Sequence, residues 1–230
     1  MSEFETLERV EVNGVSLCFA VQGEGRPVVL LHGNGEDHHL FDMEIRQLTQ
    51  AGYQVFAPDS RGHGANPPVE EYHYADMAED IYQFIQAMAL ERPALYGHSD
   101  GGIIALLLEL MHPGTLGLMA ISGTNLSPAG LRQDFLEDCA RENEADPQPL
   151  VTLMLTEPDI DPNALESIAI PVLITAGEFD LVLPEETWTI ADHIPQAEPV
   201  FLPGEDHGSY LAGSPIMGEL LLEFFREHDY

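Results

Sequence analysis

Gly97-His98-Ser99-Asp100-Gly101-Gly102 stands between a short apolar run, Ala94-Leu95-Tyr96, and a long helical pattern that begins at Ile103. A serine with glycine two places before and two places after can occupy a sharp strand-to-helix turn, because the small neighbours let the main chain fold back without collision. Such a turn lifts the Ser99 hydroxyl out as a nucleophile. The pattern also arises by chance, so the rest of the chain has to supply a base, an orienting acid and an oxyanion site.

Outward from this turn, strand and helix patterns alternate. Residues 7–12 and 15–21 are separated by Asn13-Gly14, the strongest two-residue hairpin signal, so the chain opens with an expected antiparallel pair. Buried-type strands are expected at 28–32, 54–58, 94–97, 116–122, 171–176 and 198–202, which makes eight strands with the hairpin. Helical stretches fall near 41–51, 74–89, 101–112, 185–194 and 215–228. Continuous apolar strands joined by amphipathic helices imply an α/β fold with a mostly parallel sheet covered on both faces. One segment breaks the alternation: 125–165 is rich in acids and prolines, with a short helix expected at 131–141 and a brief apolar run at 150–155. About 40 residues bury too little surface to fold alone, so this excursion reads as a small cap on one domain spanning 1–230.

At 230 residues with 44% hydrophobic side chains, the chain is long enough for one large core. Cys18 and Cys139 cannot form a disulfide framework and have no second cysteine at metal-ligand spacing. Residues 1–5 are acidic, with no basic segment leading into an apolar run, and no stretch of 18 apolar residues occurs. A soluble cytoplasmic protein is expected. The formal net charge is -32, and all eight basic side chains are arginines. Such a surface repels nucleic acid and anionic lipid, so neither is expected as a partner.

The motifs stand in a recurring order: His32-Gly33-Asn34-Gly35 after the third strand, Asp59-Ser60-Arg61-Gly62-His63-Gly64 after the fourth and the Ser99 turn after the fifth. Ala176-Gly177-Glu178-Phe179-Asp180 follows the cap, and Gly204-Glu205-Asp206-His207-Gly208 follows the last strand. Over almost its full length the chain resembles the α/β-hydrolase superfamily, in a serine esterase-like branch with a Ser-Asp-Gly-Gly turn and a short cap. The order nucleophile, acid, histidine is the one that fold uses.

The resemblance implies a division of labour. Ser99 is a weak nucleophile and needs a base, for which His207 is the candidate. Asp180 is the preferred acid to orient the imidazole, with Glu178 a weaker substitute and Asp206 too close in sequence to His207. The main-chain N–H groups of Asn34 and Asp100 are the candidate oxyanion donors. His98 is expected to pack into the fold, Asp59 and Arg61 to brace a loop, and His38 and His39 to lie in a solvated loop or pocket rim. No metal or other cofactor is implied.

Asp100 has two placements open to it. It turns away and hydrogen-bonds within the protein, or it faces the pocket and pairs with a cationic substrate, as in hydrolases of α-amino-acid esters that share this turn. Serine at position 99 disfavours haloalkane dehalogenase and epoxide hydrolase chemistry, which use a carboxylate there. Carbon-carbon hydrolases, cofactor-free haloperoxidases or perhydrolases and hydroxynitrile lyases keep the same triad and stay open, as does a receptor that binds a small molecule without turning it over. Hydrolysis of a small carboxylic ester is the broadest reading, and the oligomeric state is left open.

The charge has a measurable consequence. Self-repulsion destabilises a compact polyanion and salt screens it. Adaptation to high intracellular salt predicts that the melting temperature rises from low to molar potassium chloride; a flat or falling curve leaves a merely biased, solubilising surface.

Overall fold

The computed structural model describes residues 6–230, so residues 1–5, read above for a leader, lie outside the described residues. Strand β1 (Thr6–Val12) returns as β2 (Val15–Gln22) with Val12 opposite Val15. The turn between them has positive φ at Asn13 (44°) and Gly14 (78°), which matches the right-handed twist of the flanking strands.

The remaining strands are β3 (Arg26–Leu31), β4 (Tyr53–Pro58), β5 (Ala94–His98), β6 (Leu118–Ser122), β7 (Val172–Phe179) and β8 (Ala197–Asp206). They form one eight-stranded sheet in the order β1-β2-β4-β3-β5-β6-β7-β8. Only β2 runs against its neighbours, β1 and β4; from β4 to β8 all pairs are parallel. Helices α1 (Asp42–Gln50), α2 (Tyr74–Ala87) and α3 (Asp100–Met111) follow the early strands. In the excursion lie α4 (Gln133–Ala145) and α5 (Pro149–Thr156), and α6 (Pro184–His193) and α7 (Ile216–Glu227) complete the set.

Because successive strand residues point to opposite faces, the apolar run of β3 serves two cores. Val29 and Leu31 pack with Met77, Ile81 and Phe84 of α2 and Ile104 and Leu108 of α3. Val28 and Leu30 pack with Phe41, with Ile45 and Leu48 of α1, and with Leu221, Phe224 and Phe225 of α7. Each core side chain removed from water contributes roughly 1.5–3 kcal/mol, which offsets the entropy of ordering the sheet.

The last two strands run further than their apolar cores suggested. β7 and β8 stay paired to Phe179 and Asp206, across a register shift between Gly177 and Phe179. Main-chain pairing carries this extension, with the Glu178 carboxylate accepting the Gly204 N–H across it, and its residues are mostly exposed, so hydrophobic patterning has nothing to mark it. The apolar run at 150–155 is helix α5, and the helix expected at 131–141 begins and ends later, at Gln133 and Ala145.

One buried group opposes the fold. Glu44 of α1 is 0% exposed, and neither carboxyl oxygen has a hydrogen-bond partner among the described residues, so burial pushes its pKa up to about 7. Below the unfolded value both states hold the proton and nothing is lost. As pH rises toward 7 only the unfolded chain ionises, so stability falls by at most about 3 kcal/mol and then levels off. Glu44→Gln is expected to gain stability over the parent as pH rises from 5 to 7, measured by denaturant melts; a constant gap would contradict the buried-acid account.

Candidate active site

Three loops at the carboxyl ends of β5, β7 and β8 supply the central residues. Ser99 follows β5 and holds φ 52°, ψ −116°, a backbone region that a serine occupies only when its surroundings enforce it. Its N–H donates to the Ser122 carbonyl on β6 (2.8 Å), and its own carbonyl accepts from the Gly102 N–H (2.9 Å). A Cβ at position 97 would run into the main chain of Gly101, and one at position 101 into the Leu31 carbonyl. Both glycines are therefore required by close approach, as the sequence pattern anticipated.

His207 is the residue after β8, and its ring faces Ser99. Nε2 lies 3.1 Å from Ser99 Oγ, and Nδ1 lies 2.6 Å from Asp180 Oδ1. Asp180 is buried just beyond β7, where it also accepts from the N–H groups of Val182 (3.0 Å) and Gly177 (3.1 Å). Burial works against its charge, but the His207 ring and the two main-chain donors outweigh it and hold the carboxyl below the usual range. An ionised acceptor at Nδ1 places the ring hydrogen there, which leaves Nε2 to accept the Ser99 proton. The other two acids are engaged elsewhere: Glu178 accepts from Gly204 N–H, and Asp206 from Gly208 and Ser209 N–H.

His98 turns its Nδ1 to Ser122 Oγ (2.9 Å), which also meets the Tyr96 hydroxyl (2.7 Å). Burial lowers its pKa to about 3, so the ring is neutral. It packs inward as expected, yet it also borders the cavity beside Ser99. Asp59 braces its loop by accepting from His38 and Ala65 N–H, and Arg61 forms a buried pair with Asp80. His38 departs from the expectation of a solvated loop. It is buried with Nδ1 2.6 Å from Asp59 Oδ1, because the Asp59 carboxylate needs a donor at that depth; His39 is exposed.

The main-chain N–H groups of Asn34 and Asp100 meet no acceptor among the described residues. Of its two placements, the Asp100 side chain has the one turned away from the cavity. Its Oδ1 accepts from the Tyr74 hydroxyl (2.8 Å) and its Oδ2 from Asn34 Nδ2 (3.0 Å). Burial raises its pKa, and those two donors oppose the rise.

The cavity over Ser99 has a volume of about 240 Å³. Gly33, Asn34, Glu36, His98, Ser99 and His207 form its floor and sides, and Leu181 stands beside Asp180. Phe135 of α4 and Met154 of α5 line it from the excursion. Among the described residues no group of three His, Cys, Asp or Glu side chains is arranged to hold a metal ion. No helix among them is long and apolar enough to cross a membrane.

Glu36 escaped the sequence reading. It ends the turn 33–36, donating its N–H to the Gly33 carbonyl (3.3 Å) and accepting the Gly33 N–H at Oε2 (2.9 Å). Burial raises its pKa, while the Gly33 N–H and the nearby His207 act in the opposite sense. An acid four residues into a glycine turn is the only signal the sequence carried for it. Glu36→Ala is expected to speed hydrogen exchange at the Gly33 amide about tenfold, the loss of one modest hydrogen bond, whereas Glu36→Gln keeps an acceptor and the protection.

Known proteins resemble this chain in sequence and in fold. The AB hydrolase superfamily protein YisY of Bacillus subtilis (strain 168) is 26% identical over 247 residues, covering 88% of this chain and 92% of that protein. The human serine hydrolase BPHL is 26% identical over 254 residues, covering 96% of this chain and 87% of its own. An esterase from Exiguobacterium antarcticum superposes with a TM-score of 0.82 at 22% identity, over 96% of this chain and 100% of its own, a likeness of fold. The profile of the alpha/beta hydrolase fold matches residues 26–150, more than half of the sequence, from the start of β3 through the Ser99 turn into the excursion, and so the chain belongs to the α/β-hydrolase family.

Proposed function

We propose that this chain is a serine hydrolase that cleaves a small carboxylic ester through an acyl-enzyme on Ser99. The observation that carries the reading is the continuous line from Ser99 Oγ to His207 Nε2 (3.1 Å) and from His207 Nδ1 to Asp180 Oδ1 (2.6 Å). Hydrolases and esterases among the relatives support it. A cavity of about 240 Å³ favours a short acyl group.

In this reading Ser99 Oγ attacks the ester carbonyl carbon as His207 Nε2 takes the hydroxyl proton. Asp180 stabilises the imidazolium and keeps the ring oriented without itself becoming protonated. The carbonyl oxygen gains the negative charge and meets the N–H groups of Asn34 and Asp100. His207 returns the proton to the leaving alkoxide as the carbon-oxygen bond breaks. Water, deprotonated by the same Nε2, then releases the acid and restores Ser99.

The test is labelling with a fluorophosphonate followed by intact mass, together with burst release from p-nitrophenyl acetate. The parent is expected to gain one adduct and show a burst, and Ser99→Ala neither. Stoichiometric binding of ligands with no acylation would instead identify a receptor. Asp180→Asn is expected to lower kcat by roughly 10³–10⁴ by leaving the imidazole in the wrong tautomer. A loss of only a few-fold would remove Asp180 from the role.

A further inference from the structure

Helix α5 is tied to the rest of the molecule at both of its ends, and the two ties meet. Glu157, the residue after α5, accepts the Tyr74 N–H at Oε2 (3.1 Å) and pairs with His73 Nδ1 at Oε1 (2.6 Å). Tyr74 opens α2, is fully buried, and donates its hydroxyl to Asp100 Oδ1 (2.8 Å). The other Asp100 oxygen accepts from Asn34 Nδ2 (3.0 Å), and that same nitrogen donates to the Leu150 carbonyl in the first turn of α5 (3.2 Å). Both neighbours of the nitrogen are acceptors, so the orientation of the Asn34 amide is fixed by them.

The connection closes on itself: α5, Glu157, Tyr74, Asp100, Asn34 and α5 again. It passes through the two residues whose main-chain N–H groups are assigned to the oxyanion, and neither of those residues needs the excursion for its own secondary structure. Asp100 lies in the first turn of α3, where the helix dipole favours an acid. Its engagement by Tyr74 and Asn34 compensates its burial and also links α3 to the excursion through Asn34 and Leu150.

We propose that Tyr74 is a positioning residue through which the seating of α5 sets the oxyanion site. With α5 seated, Asn34 is held between Asp100 and Leu150, and the turn 33–36 is ordered. With α5 lifted, Asn34 loses one acceptor and Tyr74 loses the Glu157 anchor at its N–H, so the amide of Asn34 is released from register with that of Asp100. Substrate that packs against Met154 of α5 thereby favours the arrangement that reacts. This rests on the oxyanion assignment proposed above.

The test compares the parent with Tyr74→Phe, Glu157→Ala and the double variant on p-nitrophenyl acetate, with active sites counted by fluorophosphonate titration. Per titrated site, kcat is expected to fall about tenfold in each single variant, with KM within about threefold, as loss of oxyanion alignment does. The double variant should fall no further than the worse single one, because both act through the same path. Hydrogen exchange is expected to accelerate at residues 33–36 as well as in α5. A purely structural role would lower the titrated fraction and leave kcat per site unchanged, which overturns the proposal, as does a double variant whose losses multiply. Glu157→Ala, at the surface end of the path, serves if Tyr74→Phe does not fold. Should the parent resist labelling at Ser99, the hydrolase reading falls separately, and unchanged exchange at 33–36 in both variants overturns the coupling.

Discussion

The positive φ of Ser99 is the constraint on which the site depends. A serine at φ 52° carries a backbone cost on the order of 1–3 kcal/mol, and it persists because the surroundings over-determine it. The hydrogen bond from Ser99 N–H to Ser122 fixes one side of the turn to β6, and the close approach of Gly97 to Gly101 and of Gly101 to Leu31 leaves no room for another path. Once the turn is set, α3 must begin at Asp100, and the hydroxyl must stand at the end of the sheet where the β7 and β8 loops arrive.

The same turn imposes a charge problem, which the structure resolves sideways. Asp100 stands one residue beyond Ser99, and burying its carboxylate needs compensating donors. Tyr74 and Asn34 provide them, one from α2 and one from the β3 loop, so the carboxylate is drawn off the cavity and joins α2, α3 and that loop. The cavity keeps another acid, Glu36, whose oxygen is held by Gly33 N–H rather than by a cation.

Much of this was legible beforehand for a definite reason. Asn13-Gly14 can hardly be anything but a hairpin, and the apolar runs of β3, β5 and β6 are continuous because both faces are covered. Glycine spacing announced the Ser99 turn because close packing of main chain tolerates no side chain. Illegible were features without a local signature: the extension of β7 and β8 beyond their apolar residues, the burial of His38 against Asp59, and the role of Glu36. Each rests on a partner distant in sequence or on main-chain pairing that any side chain permits.

By itself, then, the sequence determined the alternation of elements and the sharp turn at Ser99, because spacing and steric size are local properties, whereas the candidates at 180 and 207 followed from the resemblance that the ordered motifs carry. Only the tertiary structure decided that His207 lies between Ser99 and Asp180 rather than near Glu178, and that Asp100 looks away from the cavity. Those outcomes depend on which loops the sheet order brings together and on which buried donors are close enough to satisfy a charge. The separation of 108 positions between Ser99 and His207 is spanned by the order of strands, not by any motif.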